Sequence, residues 1–312
     1  MPGEPSAGTL SNPLVRYVLA TRPPFLGMTL FACLIGFGTA AVDAVPLSAG
    51  TAFTTLAFAL VAHAAVNVLN DYYDELNGTD RANTERVFPF TGGSRFIQNG
   101  VLTAVQVRNF GAALFATVIA AGLALATVSG PGLIGIGAAG LFIGWAYSAP
   151  PLALNSRGLG EPCVGLGFGL IVIGSDYVQR GEMSLLPAAA AVSYALLVMN
   201  ILYINQFPDR RADAIAGKRH WVVRLGVRRA RWGYWAIGVA AYGFLLAAVA
   251  GGYLPGISLL ALLPAALTLK AGTDLVKFAD EPRQLAPAIK LTIGAAAGHG
   301  ALLAAALFLA RG

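Results

Sequence analysis

Long apolar runs, each closed by a short polar or basic stretch, dominate this chain. Nine are long enough to cross roughly 30 Å of hydrocarbon as helices. They cover Phe25–Val42, Thr51–Asn70, Ala104–Val128, Leu133–Tyr147, Gly160–Tyr177, Leu185–Phe207, Trp232–Gly251, Ile257–Leu275 and Ala286–Leu309. Gly and Pro blur the limits of the fourth and eighth. The runs are continuous rather than alternating, and too long for barrel strands, which excludes a closed β-barrel. The pattern predicts an all-α, multi-pass membrane bundle of nine transmembrane helices, one domain over residues 1–312 with 1–13 a disordered tail.

Composition agrees. Of 312 residues 56% are hydrophobic and only 12% charged, and the mean hydropathy of +0.67 lies far above soluble domains. The two cysteines, Cys33 and Cys163, are too few and too far apart for a disulfide frame or a metal cluster, and read as buried packing thiols. The first ten residues lack a basic segment followed by an apolar core and a cleavage site, so no cleaved signal is expected. Placed on the nine-span pattern, every Lys and Arg falls on the side of the N-terminus except Arg180 and Arg311. An error of one span would mix the two groups. By the positive-inside rule the N-terminus is cytoplasmic, in an inner membrane.

Two acidic clusters interrupt this economy of charge. The first, Asn67-Val68-Leu69-Asn70-Asp71-Tyr72-Tyr73-Asp74-Glu75, ends the second run; the second, Asn205-Gln206-Phe207-Pro208-Asp209-Arg210-Arg211-Ala212-Asp213, ends the sixth. Asn67 and Asn205 stand four residues before Asp71 and Asp209, and both pairs are separated by the same 138 residues, as an internal duplication would leave them. On a helix Asp71 and Asp74 share a face with Asn67 and Asn70, so their oxygens converge. Two oxygen-rich helix ends among basic residues suit Mg²⁺ ions and a diphosphate held between facing helices. Solvated helix ends are the plainer alternative. Four spans separate the clusters, which puts both on the basic side.

The connections on that side are also the longest. One carries Gly78-Thr79-Asp80 and Phe90-Thr91-Gly92-Gly93-Ser94-Arg95, where a glycine pair lets backbone amides approach an anion beside a cation, or simply makes a turn. Another carries Ala216-Gly217-Lys218-Arg219-His220, a basic loop for phosphate or for topology. Tyr147-Ser148-Ala149-Pro150-Pro151 stops the fourth helix, and Tyr147 and Arg157 can face the site, although a Tyr at a membrane interface is commonly an anchor. His63 and His299, alone on apolar helices, read as packing or hydrogen-bonded residues. Asp176 and Arg180, four apart, read as a local surface pair, and Gly165, Gly167 and Gly169 as sites of close helix packing.

Taken together, Asn70-Asp71-x-x-Asp74, Tyr147-Ser148-Ala149-Pro150-Pro151, Arg157-Gly158-Leu159-Gly160-Glu161 and Asn205-Gln206-Phe207-Pro208-Asp209-x-x-x-Asp213-x-x-x-Gly217-Lys218-Arg219 resemble the UbiA superfamily of intramembrane aromatic prenyltransferases. The resemblance runs from Arg22-Pro23 to the last helix. Gly78-Thr79-Asp80, Thr91-Gly92-Gly93-Ser94-Arg95 and the Asn205–Asp209 string are similar to the menaquinone branch, the 1,4-dihydroxy-2-naphthoate prenyltransferases. It implies a central cavity among the nine helices, a polyprenyl diphosphate donor and a small aromatic acceptor.

In that resemblance Asp71, Asp74, Asp209 and Asp213 bind two Mg²⁺ ions bridging the diphosphate, with Asn67, Asn70 and Asn205 completing the shells or contacting phosphate oxygens. Arg81, Lys218 and Arg219 neutralise remaining charge, Tyr147 shields the allylic cation, and Arg95 holds the acceptor carboxylate. Asp80, Arg157 and Gln206 are further substrate-binding residues. Two positions depart from the branch: Leu154-Asn155-Ser156 stands where a Lys is expected, and Asp176 replaces an uncharged residue. The acceptor therefore stays open among 1,4-dihydroxy-2-naphthoate, with loss of CO₂, and 4-hydroxybenzoate or homogentisate types.

A transporter or channel is the rival of another class, and it calls for polar residues deep in several spans, whereas these collect at one mouth. Partners are the lipid bilayer and the two substrates, with no nucleic acid. A cysteine placed within 208–231 is expected to react only with reagent on the cytoplasmic side, and one within 129–132 only from the other side. Labelling of both from one side would overturn the span count.

Overall fold

Every apolar run becomes a spanning segment. In the computed structural model, which describes residues 3–311, the helices are α1 (Pro13–Ala20), α2 (Pro23–Val42), α3 (Ala49–Leu76), α4 (Thr79–Ala82), α5 (Ala104–Ser129), α6 (Gly132–Ser148), α7 (Gly160–Arg180), α8 (Leu185–Ile215), α9 (Trp221–Leu225), α10 (Val227–Ala250), α11 (Ala265–Phe278) and α12 (Ala286–Leu309). Among the described residues eight segments are long and apolar enough to cross a membrane, and α6, apolar but of 17 residues, is the ninth. No strand occurs among them.

Local chemistry fixes several ends. Ser48 caps α3 by accepting from Thr51 N at 3.4 Å, and Thr103 with Gln106 forms a capping box on α5. Pro23 begins α2, where its missing N–H costs nothing. The spans carrying the acidic clusters outrun their apolar limits: α3 continues past Asn70 to Leu76, and α8 passes through Pro208 to Ile215. Asp209 and Asp213 are thereby one turn apart on a single helix face.

The eighth span departs from expectation. Its first part, Gly256–Leu262, is a 3₁₀ turn, and α11 begins only after Pro264. Pro264 has no N–H and its ring clashes with the turn before it. The freed carbonyl of Ala261 is taken by Nδ1 of His299 at 2.8 Å, as backbone inside a membrane requires.

Helices α2, α7, α8 and α12 pack against one another in the middle, with α3, α5 and α6 on one flank and α10 and α11 on the other. Gly36 permits the close approach of α2 to α7, because a Cβ there would sit 2.3 Å from the Val172 carbonyl oxygen. The glycines at 165, 167 and 169 do not pack this way: nothing lies within 4 Å of the positions a Cβ would take at Gly167 and Gly169, and Gly165 faces only Met199 Sδ at 3.8 Å.

Asp176 and Arg180 are not a surface pair. Asp176 is 1% exposed. It accepts from Thr39 Oγ1 at 2.8 Å and from Arg180 Nε at 2.8 Å, while Arg180 also reaches Asp43 Oδ2 at 2.8 Å. This latch ties α2 to α7 at the end opposite the acidic clusters, and the close helix approach at Gly36 explains why it is buried.

The expected tail is also engaged in part. Glu4 accepts from Arg86 Nε at 2.7 Å and Asn99 Nδ2 at 3.1 Å, Arg16 Nε donates to Leu10 O at 2.6 Å, and Asn12 caps α1. Met1, Pro2 and Gly312 lie outside the described residues.

Removing one partner of a buried, hydrogen-bonded ion pair strands the other. Asp176→Leu should therefore lower stability by about 3 kcal/mol, and Thr39→Val by about 1 kcal/mol, read as falls in the thermal midpoint of detergent-purified protein. Midpoints equal to wild type would show that the latch contributes nothing.

Candidate active site

The C-terminal ends of α3 and α8 stand at one mouth of a large cavity. On α3, Asp74 accepts from Asn70 Nδ2 and Asn77 Nδ2, each at 3.2 Å, and Asn70 Nδ2 also reaches Ser148 Oγ at 2.9 Å. Asn67 Nδ2 donates to the Thr21 carbonyl at 3.0 Å. On α8, Asp209 accepts from Asn83 Nδ2 at 2.6 Å and Gly92 N at 3.4 Å, and Asp213 accepts from His220 Nε2 at 3.0 Å.

Lys218 joins the two helices. Its ammonium lies 2.8 Å from Asp74 Oδ1 and 3.3 Å from Asp213 Oδ1, and the side chain is 9% exposed. Burial works against its charge, but Asp74 and Asp213 outweigh burial and hold the group above its ordinary value.

A loop from the first long connection lies over Asp71. Ser94 N donates to Asp71 Oδ2 at 3.2 Å, while Asp71 Oδ1 and Asp80 Oδ2 are buried and bond nothing. Both oxygens converge on Gly93. A Cβ there would lie 2.2 Å from Asp80 Oδ2 and 3.1 Å from Asp71 Oδ1, and φ is +72°. Only glycine suits that backbone and that space. Burial, and after it the neighbouring Asp74 and Asp71, hold the Asp80 carboxyl well above the usual carboxylate range.

Below the mouth the cavity has a volume of about 710 Å³. Asn67, Asn70, Asp74, Asp80, Tyr147, Asn205, Gln206, Asp209, Asp213 and Lys218 line it, and Asp71 abuts it through the Gly93 loop. Its deeper wall is apolar, formed by Phe115, Ile119, Gly122 and Leu125 of α5 and by Leu133, Ile136, Gly140 and Leu141 of α6. Most of α5 is exposed on its other side.

Four basic residues expected at the site are not on the cavity wall. The Arg81 side chain is 77% exposed and pairs with Glu75. Arg157 is exposed and donates to the Pro151 carbonyl at 2.7 Å. Arg219 is exposed and joins the loop through its backbone N to Ser156 O at 2.7 Å. Arg95 is buried, but its guanidinium is occupied by the Asp80 carbonyl and lies 3.9 Å from Glu4. Long side chains at a helix end can turn either way, and residue spacing does not say which.

Four residues outside the expected site set are found there. Arg22 lines the cavity, donating to the Phe90 carbonyl at 3.2 Å with its guanidinium 4.8 Å from the Phe25 ring centroid. Asn83 and His220 hold Asp209 and Asp213. His63 also reaches the cavity. The clue to Arg22 was its place before two prolines, which favour a helix start and so put it at the N-cap of α2.

Five carboxylates thus share a mouth with one ammonium, and two of their buried oxygens lack any donor. Such a site calls for cations, and the donor set is all hard oxygen, as Mg²⁺ prefers. Among the described residues no three acidic, His or Cys side chains form a preformed metal cage. That fits an ion bound through one or two carboxylates together with substrate phosphates and water.

The sequence matches the UbiA prenyltransferase family over residues 29–294. It is 35% identical to the 1,4-dihydroxy-2-naphthoate octaprenyltransferase of Mycobacterium leprae over 231 residues, 72% of this chain and 74% of that protein. With the enzyme of the same name from Mycobacterium tuberculosis the identity is 32% over 242 residues, 74% and 78% of the two chains. The fold is similar to the UbiA homologue of Archaeoglobus fulgidus bound to DMAPP and Mg²⁺, with a TM-score of 0.63 at 18% identity, covering 92% of this chain and 99% of that one. The UbiA homologue of Aeropyrum pernix gives a TM-score of 0.65 at 18% identity, covering 88% and 96%.

Gly93→Ala should drive Asp71 and Asp80 apart and weaken Mn²⁺ binding, read by spin-resonance titration of the free ion, by about tenfold or more. Affinity unchanged by the added methyl would remove Asp71 and Asp80 from the cation site.

Proposed function

This chain belongs to the UbiA prenyltransferase family, and from that premise we propose that it moves a polyprenyl group from its diphosphate onto 1,4-dihydroxy-2-naphthoate, with loss of CO₂, in menaquinone biosynthesis. One observation carries the assignment of the site: two Asp-bearing helix ends face each other across the mouth of a single apolar cavity, bridged by Lys218. The acceptor rests on the relatives named for the same naphthoate.

In this reading Asp71, Asp74, Asp209 and Asp213, with Asp80 beside Asp71, hold Mg²⁺, two ions in all. When bound, Mg²⁺ neutralises charge on the diphosphate and makes it a better leaving group. Lys218 supplies a fixed positive charge at the same place, and Asn70, Asn83 and His220 keep the carboxylates aimed. Asn67, Asn205 and Gln206 line the wall where phosphate oxygens and the first prenyl carbons would lie. The tail follows the apolar wall of α5 and α6.

The chemistry balances without a covalent enzyme intermediate. The allylic C–O bond breaks and its electron pair leaves with diphosphate. The ring carbon bearing the carboxylate gives a π pair to the allylic cation, and the C–CO₂⁻ pair then returns to the ring as CO₂ departs. Tyr147 is on the cavity wall, and in this reading its π face shields the cation. In this reading Arg22, which lines the cavity, holds the acceptor carboxylate before that step rather than Arg95. The mouth faces the cytoplasm, on the strength of the basic residues gathered there.

Membranes given carboxyl-labelled 1,4-dihydroxy-2-naphthoate and a polyprenyl diphosphate should release labelled CO₂ and form a demethylmenaquinol, and EDTA should stop both. Asp71→Asn, Asp74→Asn, Asp209→Asn and Asp213→Asn should each lower the rate by about 100-fold or more while the protein stays folded. Prenylation of 4-hydroxybenzoate with its carboxylate retained, and none of the naphthoate, would leave the reaction class and overturn the acceptor.

A further inference from the structure

The two histidines on apolar helices are used differently. His299 is fully buried and both ring nitrogens are satisfied, by Ser193 Oγ at 3.0 Å and the Ala261 carbonyl at 2.8 Å. His63 has one partner, Thr29 Oγ1, 2.9 Å from its Nδ1. Its Nε2 bonds nothing among the described residues, and the ring lines the cavity.

The tautomer follows from the partner. Thr29 is fully buried, and its hydroxyl makes no bond other than the one to His63. If Nδ1 carried the ring proton, the hydroxyl hydrogen would be stranded in an apolar helix interface. A buried donor left without an acceptor is costly. The hydroxyl therefore donates to Nδ1, and the proton of a neutral imidazole sits on Nε2, the nitrogen left without a partner on a residue that lines the cavity.

The position is equally specific. His63, Asn67, Asn70 and Asp74 share one face of α3, and the rise of a helix puts His63 about 6 Å deeper than Asn67 and about 10 Å deeper than Asn70. The ring of Phe168 stands edge-to-face with it at 5.5 Å, and Phe25 and Met28 line the same cavity. A flat aromatic molecule fits between such groups. A hydrogen-bond donor in apolar surroundings is of no use to a prenyl tail. It suits an oxygen on an aromatic ring.

We infer that His63 donates its Nε2–H to a ring oxygen of the aromatic acceptor, and so fixes the ring below the diphosphate. The inference rests on the prenyl-transfer reading above. Arg22 at the mouth and His63 deeper down give the acceptor two points of attachment, one for its carboxylate and one for a hydroxyl or phenolate oxygen, which leaves the ring one way to face the donor.

The test is a split between the two substrates, measured on purified enzyme with 1,4-dihydroxy-2-naphthoate, 4-hydroxybenzoate and homogentisate as acceptors. His63→Leu should raise KM for whichever acceptor the wild type uses by about tenfold or more, with KM for the polyprenyl diphosphate within about twofold of wild type. His63→Gln, which keeps an N–H at similar reach, should recover most of the loss. Thr29→Val, which frees the ring to turn, should show a smaller rise on the acceptor side alone. An acceptor KM unchanged in His63→Leu, or a rise equal for both substrates, overturns the inference. So does a Thr29→Val effect that is absent or falls on the donor, should His63→Leu not accumulate. A wild-type enzyme that prenylates none of the three acceptors overturns the underlying reading, and the His63 assignment falls with it.

Discussion

The Lys218 ammonium between Asp74 and Asp213 is the contact on which the mouth of the cavity depends. Asp71, Asp74, Asp80, Asp209 and Asp213 gather in a place largely shielded from water, and carboxylates so close repel one another in a low dielectric. Without a cation the two helix ends would splay or the groups would protonate. Lys218 comes from a loop rather than from either helix, so it can hold both ends without fixing them rigidly. Its neighbour His220 binds the second oxygen of Asp213, so one short segment sets that carboxylate from two sides.

The loop carrying Gly92 and Gly93 does the corresponding work from the first long connection. Its backbone N–H groups reach Asp209 and Asp71, on different helices, and Asn83 from the same connection holds Asp209 again. Each long connection thus braces the helix it does not follow as well as its own. That cross-bracing lets α3 and α8 stand apart with an open cavity between them. It also segregates chemistry: polar groups lie along α2, α3 and α8 and at the end of α6, and the rest of α5 and α6 stays apolar for a chain of isoprene units.

Much of this was legible in the sequence, for physical reasons that also explain what was not. A membrane imposes one length and one polarity on every span, so nine apolar runs became nine spanning segments with limits shifted by a few residues. Acidic residues are costly in such a chain, so Asp71, Asp74, Asp209 and Asp213 announced themselves by occurring at all. Arginines did not, because a basic loop is needed for topology whether or not it binds anything. Arg81, Arg157 and Arg219 turned outward and Arg22 inward, a choice made by tertiary packing. The pairing of Asp176 with Thr39, 137 residues away, likewise depends on helix contacts that residue spacing does not encode.

That latch bears on the rival reading of the fold as a path for ions. A conducting route needs polar groups or water from one face to the other. Here the acids stop within one helix end of the mouth, and the depth of the cavity is lined by side chains such as Phe58, Leu125, Leu133 and Ile136. The charged residue farthest from the mouth on α7 is Arg180, and its guanidinium is held by Asp176 and Asp43 rather than offered to a passing ion. Asp176 in turn spends its oxygens on Arg180 and Thr39. Charge at the far end is therefore matched within the latch, while charge at the mouth stays partly unmatched. A cavity polar at one end and apolar along its depth is shaped to take an amphiphile by its head, and that asymmetry is what a reaction between a lipid diphosphate and a small aromatic anion demands.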